Sequence, residues 1–569
     1  MKHRAILKKA GFVCLILCLT GFAFSVFNFD HYDILIKDAK IIDGTGNPWF
    51  YGDLGIKGGV IVAIGNLSGE SAANILNAQG LIAAPGFIDM HNHSDYTLGQ
   101  VSSNANLNFL FQGVTTVVTG NCGDCVSLKV TETKGQWEKQ GIGTNVVYLV
   151  GLGAIRKAVM GVEPREATEE EIESMKKILR KSMQEGAWGV STGLEYIPGL
   201  YSSTEEVIAL TKVVGEFDGV YTSHMRDEND QIVEAVRETV RIGEETGVPV
   251  NIGHLKVTGK NNWGLMREVV KEVNQARAKG VNITADQYPY VQSAPFGPIF
   301  SFLEIPEDMK PLSDLKKKLR NMYFGGNEGE DLKSKYVAEL KRSLSDKVKR
   351  EKIKKLTVEG LPHNPSAVAL WGWHDNTVIV SEKYPQFVGM NFTDIFDRQE
   401  GSPFDVVVDF VLNEPDMLYA GGSMSEQDLR HALQQEWVMV SSDGSAFPIR
   451  EEGEKPRRGH PRNFGSFPRV LKKYVREEKL LTLEEAVRKM SSLPASLLRM
   501  KDRGLLLRGY KADIVVFDPD RVSDNATYED SRRYATGMKY VIVNGKVAIE
   551  NGNFTDVLAG NLLLRTDDN

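Results

Sequence analysis

The sequence predicts an α/β fold: a (β/α)8 barrel of TIM type, carrying a small β-sandwich domain formed by both chain ends and an insertion before the eighth strand. Three observations lead there. Short Val/Ile/Thr-rich runs alternate eight times with stretches of helical period. Strand-and-turn texture appears at both ends of the chain and is absent between them. The alternation is interrupted once, by residues 286–436 between the seventh and eighth runs.

The N-terminus stands apart from that fold. It reads MKHRAILKK, then GFVCLILCLTGFAFSVF, then polar residues. A basic segment followed by an apolar one is an export signal. Ala23-Phe24-Ser25 offers a small-x-small cleavage site after Ser25. The alternative is an uncleaved membrane anchor, since about 17 apolar residues just span a bilayer. Either way residues 1–30 are excluded from the fold, and the bulk of the protein is expected outside the cytoplasm.

Residues 31–84 and 500–569 are assigned to the β-sandwich domain. In DILIKDAKIIDGTGNPWFYGDLGIKGGVIVAIG, Gly58-Gly59 between alternating runs signals a hairpin. Ala512–Phe517 and Tyr540–Val543, the latter followed by the turn Asn544-Gly545, repeat that texture. Residues 85–499 are assigned to the barrel. Its strand runs are Leu81–Asp89, Gly113–Thr119, Val146–Val150, Trp188–Thr192, Gly219–Ser223, Val248–Gly253, Val281–Ala285 and Trp437–Ser441. Segments such as ATEEEIESMKKILRKSMQEG and QIVEAVRETVRIGEETG supply the amphipathic helices between them. The insertion is placed at about 292–360.

Bulk properties narrow the function. The 569 residues are 42% hydrophobic and 25% charged, with a formal net charge of -7. That balance argues against a nucleic-acid partner, which needs a basic patch. The basic run Lys316–Lys355 reads as a solvated helical face. Of four cysteines, Cys14 and Cys18 lie in the N-terminal segment, leaving Cys122 and Cys125, so no disulfide framework builds the fold.

Chemistry is concentrated at the strand ends, where barrels of this kind place their active sites. Five runs end on potential metal ligands: FIDMHNH with His91 and His93, TGNCGDC with Cys122, TSHMRDE with His224, IGHLK with His254, and SSDG with Asp443. Two histidines at i and i+2 on a strand face the same way and can share one ion. Imidazole and thiolate donors favour zinc. Zinc-activated water attacks carbonyls near neutral pH. Asp443 is then expected to take the water's proton and pass it to a leaving nitrogen. Cys122-x-x-Cys125 is also open to reading as a redox pair or half of a structural zinc site.

The motifs APGFIDMHNHSD, GVTTVVTGNCG, GVSTGLEYIPG, TSHMRDE, GHLKVTG, DQYPY, SSDG, GHPRNFGSFPRVLKKYVRE, MSSLPASLLRMKDRG and YKADIVVFDPDRV, spread from about Asp33 to Leu564, resemble the D-aminoacylase (N-acyl-D-amino-acid deacylase) branch of the amidohydrolase superfamily. The resemblance implies zinc-dependent hydrolysis of an N-acyl-D-amino acid, a small molecule, to a carboxylate and a free D-amino acid. Two-metal relatives often use a carbamylated lysine on the fourth strand. The fourth run here, AWGVSTGLEY, has none, while Cys122 is present. The tight zinc is therefore expected on Cys122, His224 and His254, with His91, His93 and Asp443 lining a second, weaker position. Arg462 matches the arginine that pairs with the substrate carboxylate, and a guanidinium suits bidentate binding. Lys256, Tyr196 and Tyr288 match neighbouring substrate-contacting positions. Two rivals remain: a cyclic amidase of the hydantoinase or dihydroorotase type, which predicts the missing lysine, and a catalytically inactive barrel that only binds.

Overall fold

The computed structural model describes residues 31–292, 296–324, 330–360, 366, 368, 372–422, 424–449 and 459–565. The export or anchor segment expected at 1–30 lies outside the described residues.

Eight parallel strands form the barrel: Phe87–Asp89, Val114–Thr119, Asn145–Gly151, Gly189–Gly193, Val220–His224, Val250–Ile252, Ile283–Gln287 and Val438–Val440. One overlaps each of the eight runs read from the sequence. The second and third are buried on both faces, as VTTVVT and NVVYLVG, which is why they read as continuous apolar runs rather than alternating ones. Closure comes just beyond the strands. Asn92 bridges Gly444, Asp443 N donates to His91 O at 2.8 Å, and His93 N donates to Gly444 O at 2.7 Å. The ring thus closes on the segment that carries the histidine pair and Asp443.

The helices follow local rules. Thr168 and Glu171 form a capping box that starts Glu169–Gln184, whose Met175, Leu179 and Met183 turn inward. Ile232–Thr246 stops at Gly247, which takes φ 66°. The short helix Ser492–Leu497 plugs the floor of the barrel, packing against Ile88, Val147, Trp188 and Met439.

The first run, Leu81–Asp89, is corrected by the structure. It serves two sheets rather than one. Ile82–Pro85 pairs with Lys40 and Ile41 and with Ile514–Phe517 in the small domain, and only Phe87–Asp89 enters the barrel. The chain changes sheets at Gly86, where a Cβ would stand 2.2 Å from Thr115 Oγ1. Period alone cannot mark such a change, because both halves are buried.

The small domain is one nine-stranded sheet that joins strands from residues 32–85 with strands from residues 514–554. It curls until two hairpin turns touch. Ala512 N donates to Gly59 O, Gly545 N donates to Ala512 O, and a Cβ on Gly545 would stand 2.3 Å from Gly59 Cα. Ile36, Leu54, Ile514 and Ile542 fill the space enclosed. The end of the chain leaves this sheet. Leu562–Leu563 pairs with Val146–Val147 of the third barrel strand, and Leu563 O accepts the Trp188 Nε1 proton at 2.7 Å.

The insertion reaches further than the charged run suggested. Helices Leu312–Phe324, Glu330–Ser345 and Lys347–Glu359 are followed by Asn376–Val380, Pro403–Asn413 and Leu418–Gly421. The two strands join Phe296–Pro298 in a three-stranded antiparallel sheet. Phe302, Tyr336, Phe392 and Phe410 share one separate core. The helices bury their apolar faces on later parts of the chain, so the unit extends to Gly421 instead of ending near residue 360.

Candidate metal centre

Five nitrogen or sulfur donors and one carboxylate converge at the strand ends. Cys122 Sγ lies 3.2 Å from His91 Nε2, 3.8 Å from His93 Nε2, 3.7 Å from His224 Nδ1 and 3.5 Å from His254 Nε2. His224 Nδ1 and His254 Nε2 are 2.7 Å apart. Asp443 Oδ1 stands 3.2 Å from His93 Nε2 and 3.8 Å from His91 Nε2. Among the described residues three donor triads result; the thiol belongs to two, Cys122–His224–His254 and His91–His93–Cys122, and the third is Glu195–His224–Glu228. The second position was expected to hold His91, His93 and Asp443; the structure adds Cys122 to that group.

The backbone is bent to achieve this. Cys122, His254 and Asp443 take φ of 53°, 35° and 49°. Each such non-glycine residue costs on the order of 1–3 kcal/mol, which persists only where the surroundings enforce it. The Cys122 loop lies directly on the loop leaving the fourth strand. A Cβ at Gly193 would stand 2.2 Å from Cys122 O, and one at Gly123 would stand 2.5 Å from Gly193 N.

Carboxylates grip the far sides of the histidines. Glu195 Oε2 is 2.9 Å from His224 Nε2, and Glu228 Oε1 is 3.0 Å from His254 Nδ1. Asp286, fully buried, faces His91 Nδ1 at 3.5 Å, and accepts from His254 N at 2.9 Å, Ser441 Oγ at 2.7 Å and Asn251 Nδ2 at 2.6 Å. Asp89 receives Ser442 N at 2.9 Å and Asn92 Nδ2 at 2.8 Å, tying the first strand to the eighth loop. The sequence reading singled out none of these four acids. Each sits inside a quoted motif or strand run, and buried acids at strand ends are the signal that marks them.

The expected substrate-side residues join the same network. Arg462 Nη1 donates to Asp443 Oδ2 at 2.6 Å, and its guanidinium lies 5.2 Å from the Tyr288 ring centre. Lys256 Nζ lies 6.0 Å from that ring centre. It is held by Glu228 at 2.6 Å and lies 2.8 Å from His254 Nδ1. Lys256 therefore has an acidic partner within the protein as well as a place at the site. The Tyr196 ring lies 4.4 Å from that of His224 with nearly half its surface open, and Tyr288 is buried with a hydroxyl that has no hydrogen-bond partner among the described residues. Cys125 stays outside: Gly151 N contacts its Sγ at 3.5 Å, and burial pushes its thiol up to about 11. Both cysteines are free, so no disulfide withdraws Cys122 from the cluster.

Electrostatics follow from crowding. Burial opposes the Cys122 thiolate, yet His91 and His254 outweigh it and hold the thiol well below its ordinary value. Burial likewise opposes charge on His93 and His224. Asp443 and Cys122 nevertheless lift His93 to about 9, and Glu228, Cys122 and Glu195 lift His224 to about 10. Asp443 is drawn well below the carboxylate range, Arg462 overcoming the burial penalty. The thiol and Asp443 are thereby held as anions, while His93 and His224 hold protons that a cation would displace, which makes cation binding proton-coupled.

The donors fit zinc. Ligand bonds of about 2.0–2.3 Å in a tetrahedron put donor atoms roughly 3.3–3.6 Å apart. The Cys122–His254 and Cys122–His224 separations of 3.5 and 3.7 Å match, and the His224–His254 pair at 2.7 Å sits closer. A thiolate among imidazoles with an adjacent carboxylate is a zinc donor set of the catalytic kind.

Comparison with known proteins agrees with this geometry. The model of the Amidohydrolase family matches residues 454–549. In sequence the chain is similar to the D-aminoacylase of Alcaligenes xylosoxydans xylosoxydans, 32% identical over 561 residues, spanning 94% of this chain and 98% of that protein. In structure it is similar to a D-aminoacylase with a binuclear metal centre, described by one-metal activation and second-metal attenuation, at TM-score 0.71 and 30% identity over 94% of this chain and all of that one. It is also similar to the N-acyl-D-glutamate deacylase of Bordetella bronchiseptica, solved with zinc and a phosphonate mimic of the tetrahedral intermediate, at TM-score 0.70 and 29% identity over the same shares of the two chains. With near-complete coverage and a thiol at the centre of its ligands, the chain belongs to the D-aminoacylase family of amidohydrolases.

Proposed function

We propose that this protein hydrolyses N-acyl-D-amino acids to a carboxylate and a free D-amino acid, using zinc. The observation that carries the reading is the Cys122 thiol shared by two imidazole pairs and flanked by the Asp443–Arg462 ion pair. The D-aminoacylase relative supports the substrate class. Cys122, His224 and His254 would hold the firm zinc; His91, His93 and Cys122, beside Asp443, would form a second, weaker position. Bound zinc supplies a Lewis acid for the amide carbonyl and makes water acidic enough to react near neutral pH.

The chain's own residues do the rest. Arg462 offers the substrate carboxylate a planar fork, with the Tyr288 ring below it. A carboxylate that takes this fork competes with Asp443 Oδ2 and weakens the contact that keeps Asp443 a poor base. Asp443 then accepts a proton from water as the C–O bond forms. It returns that proton to the amide nitrogen as the C–N bond breaks. Tyr196 and Lys256 border the space beside His224 and His254.

The test is metal analysis of the purified protein, followed by turnover of paired N-acetyl-D- and N-acetyl-L-amino acids. Bound zinc and selective turnover of D-substrates are expected. Absence of zinc, or no turnover of any N-acyl amino acid after zinc addition, would overturn the reading. Asp443→Asn should lower kcat about 100- to 10,000-fold while zinc content is retained.

We further propose export. The basic MKHRAILKK and the apolar segment after it support this, with either cleavage after Ser25 or retention as an anchor. Among the described residues no helix is long and apolar enough to cross a membrane. Fractionation of cells expressing the full chain and a chain starting at His31 tests it: equal retention of both in the cytoplasm is the contrary result.

A further inference from the structure

His224 and His254 present unlike nitrogens to the thiol, Nδ1 from one and Nε2 from the other. A neutral imidazole carries one proton, and the nitrogen that keeps it is set by the hydrogen bond that nitrogen makes. On His254 the outward nitrogen is Nδ1, facing Glu228, whose charge is largely met by Lys256 at 2.6 Å. On His224 the outward nitrogen is Nε2, facing Glu195 at 2.9 Å. Among the described residues the one ion pair recorded for Glu195 is this contact. Glu195 follows the fourth strand by two residues, in the turn whose Gly193 lies on the Cys122 carbonyl. Its place is therefore locked to the loop that carries the thiol.

We propose that Glu195 is a positioning residue for the metal centre. It keeps the proton of His224 on Nε2, so that the Nδ1 lone pair points at the Cys122–His254 side. Its carboxylate, which among the described residues has no cation beside it comparable to the Lys256 next to Glu228, also makes that lone pair a stronger donor. Without Glu195 the ring is free to turn over and present carbon where Nδ1 now lies. This inference rests on the zinc reading above and concerns how firmly the ion is held.

The test measures zinc affinity by competition with a chromophoric chelator, using the full chain and the variants Glu195→Ala, Glu195→Gln and, as a surface control, Glu173→Gln. Loss of a carboxylate behind a ligating histidine typically weakens metal binding about 10- to 100-fold, and that is the loss expected for Glu195→Ala. Glu195→Gln should lose less, because its amide oxygen still accepts the Nε2 proton. The control should match wild type, and the metal-free forms should melt together, since the effect acts through the ion. Zinc affinities of both Glu195 variants within about twofold of wild type would overturn the proposal, the usual effect being tenfold or more. An affinity loss matched by equal destabilisation of the metal-free protein would overturn it too, by showing a structural role. If Glu195→Ala fails to fold, Glu195→Gln carries the comparison. A wild-type chain that takes up no zinc refutes the zinc reading instead, so the two failures are told apart.

Discussion

Arg462 and Asp443 each do two things, and the conflict between them sets what single substitutions should show. Arg462→Lys keeps the charge but loses the planar fork. Hydrogen bonds to charged groups contribute about 1.5–3 kcal/mol, so kcat/KM for N-acyl-D-amino acids should fall roughly 10- to 100-fold, mostly through KM. Steady-state kinetics on the lysine variant checks this, and an unchanged KM would remove Arg462 from carboxylate binding. His460 supplies a pH prediction two residues away. It sits among Tyr288, Tyr290 and Tyr528, with Nε2 3.0 Å from Gln292 O and Nδ1 accepting from Arg462 N. Burial, then the nearby Arg462, lowers it from the ordinary 6.5 to about 3. Between those values the unfolded chain binds a proton that the folded chain refuses. Stability present above pH about 6.5 is therefore lost progressively as pH falls toward 3. Thermal melts from pH 7 to 4 should slope less steeply for His460→Gln than for wild type.

At the scale of the element, the site depends on loops that approach closer than side chains permit. Gly253 ends the sixth run, and a Cβ there would stand 2.9 Å from His91 Cε1 and Nδ1. Gly253→Ala should push His91 aside and weaken the second metal position while leaving the first, which does not use His91. Calorimetric zinc titration separates the two: one tight binding event is kept and the weaker one is reduced. Gly193→Ala is predicted to disturb both positions, because it acts through Cys122, which they share. Its Cβ meets the Cys122 carbonyl, and overpacking of this kind costs about 1–3 kcal/mol. Both a lower melting temperature and weaker tight-zinc binding should follow. A normal affinity in that variant would mean the Cys122 loop is less constrained than its contacts indicate.

Across the whole molecule, the two chain ends hold the barrel from outside. Tyr32–Ile41 and Met538–Val543 share the curled sheet, while Leu562–Leu563 returns to the third barrel strand. Arg565 then donates to Phe217 O at 3.0 Å and to Leu498 O at 3.0 Å beneath the floor. Truncation after Asn561 removes buried Leu562 and leaves the Trp188 indole proton unpaired. Together these should cost about 2–5 kcal/mol, read as a lower melting temperature. A truncated chain that melts like wild type would show that the tail contributes nothing.

The eight strand runs were legible because barrel strands are buried on both faces and end on polar residues, so apolar stretches capped by His91, Cys122, His224, His254 and Asp443 stand out. The donor set, and with it zinc, followed from residue types that few other structures require together. What the sequence did not show was partnership. The run Leu81–Asp89 reads as one strand, since period cannot tell which sheet a buried residue joins. The insertion looked complete near residue 360, because the elements that share its core, Asn376–Val380, Pro403–Asn413 and Leu418–Gly421, come later in the chain. Glu195, Glu228 and Asp286 are marked only as acids at strand ends, for an acid's role depends on the nitrogen it faces. Local chemistry is written along the chain, whereas the choice of nitrogen, the sharing of Cys122 between two triads and the pairing of Asp443 with Arg462 exist only once distant strand ends are brought within hydrogen-bonding distance.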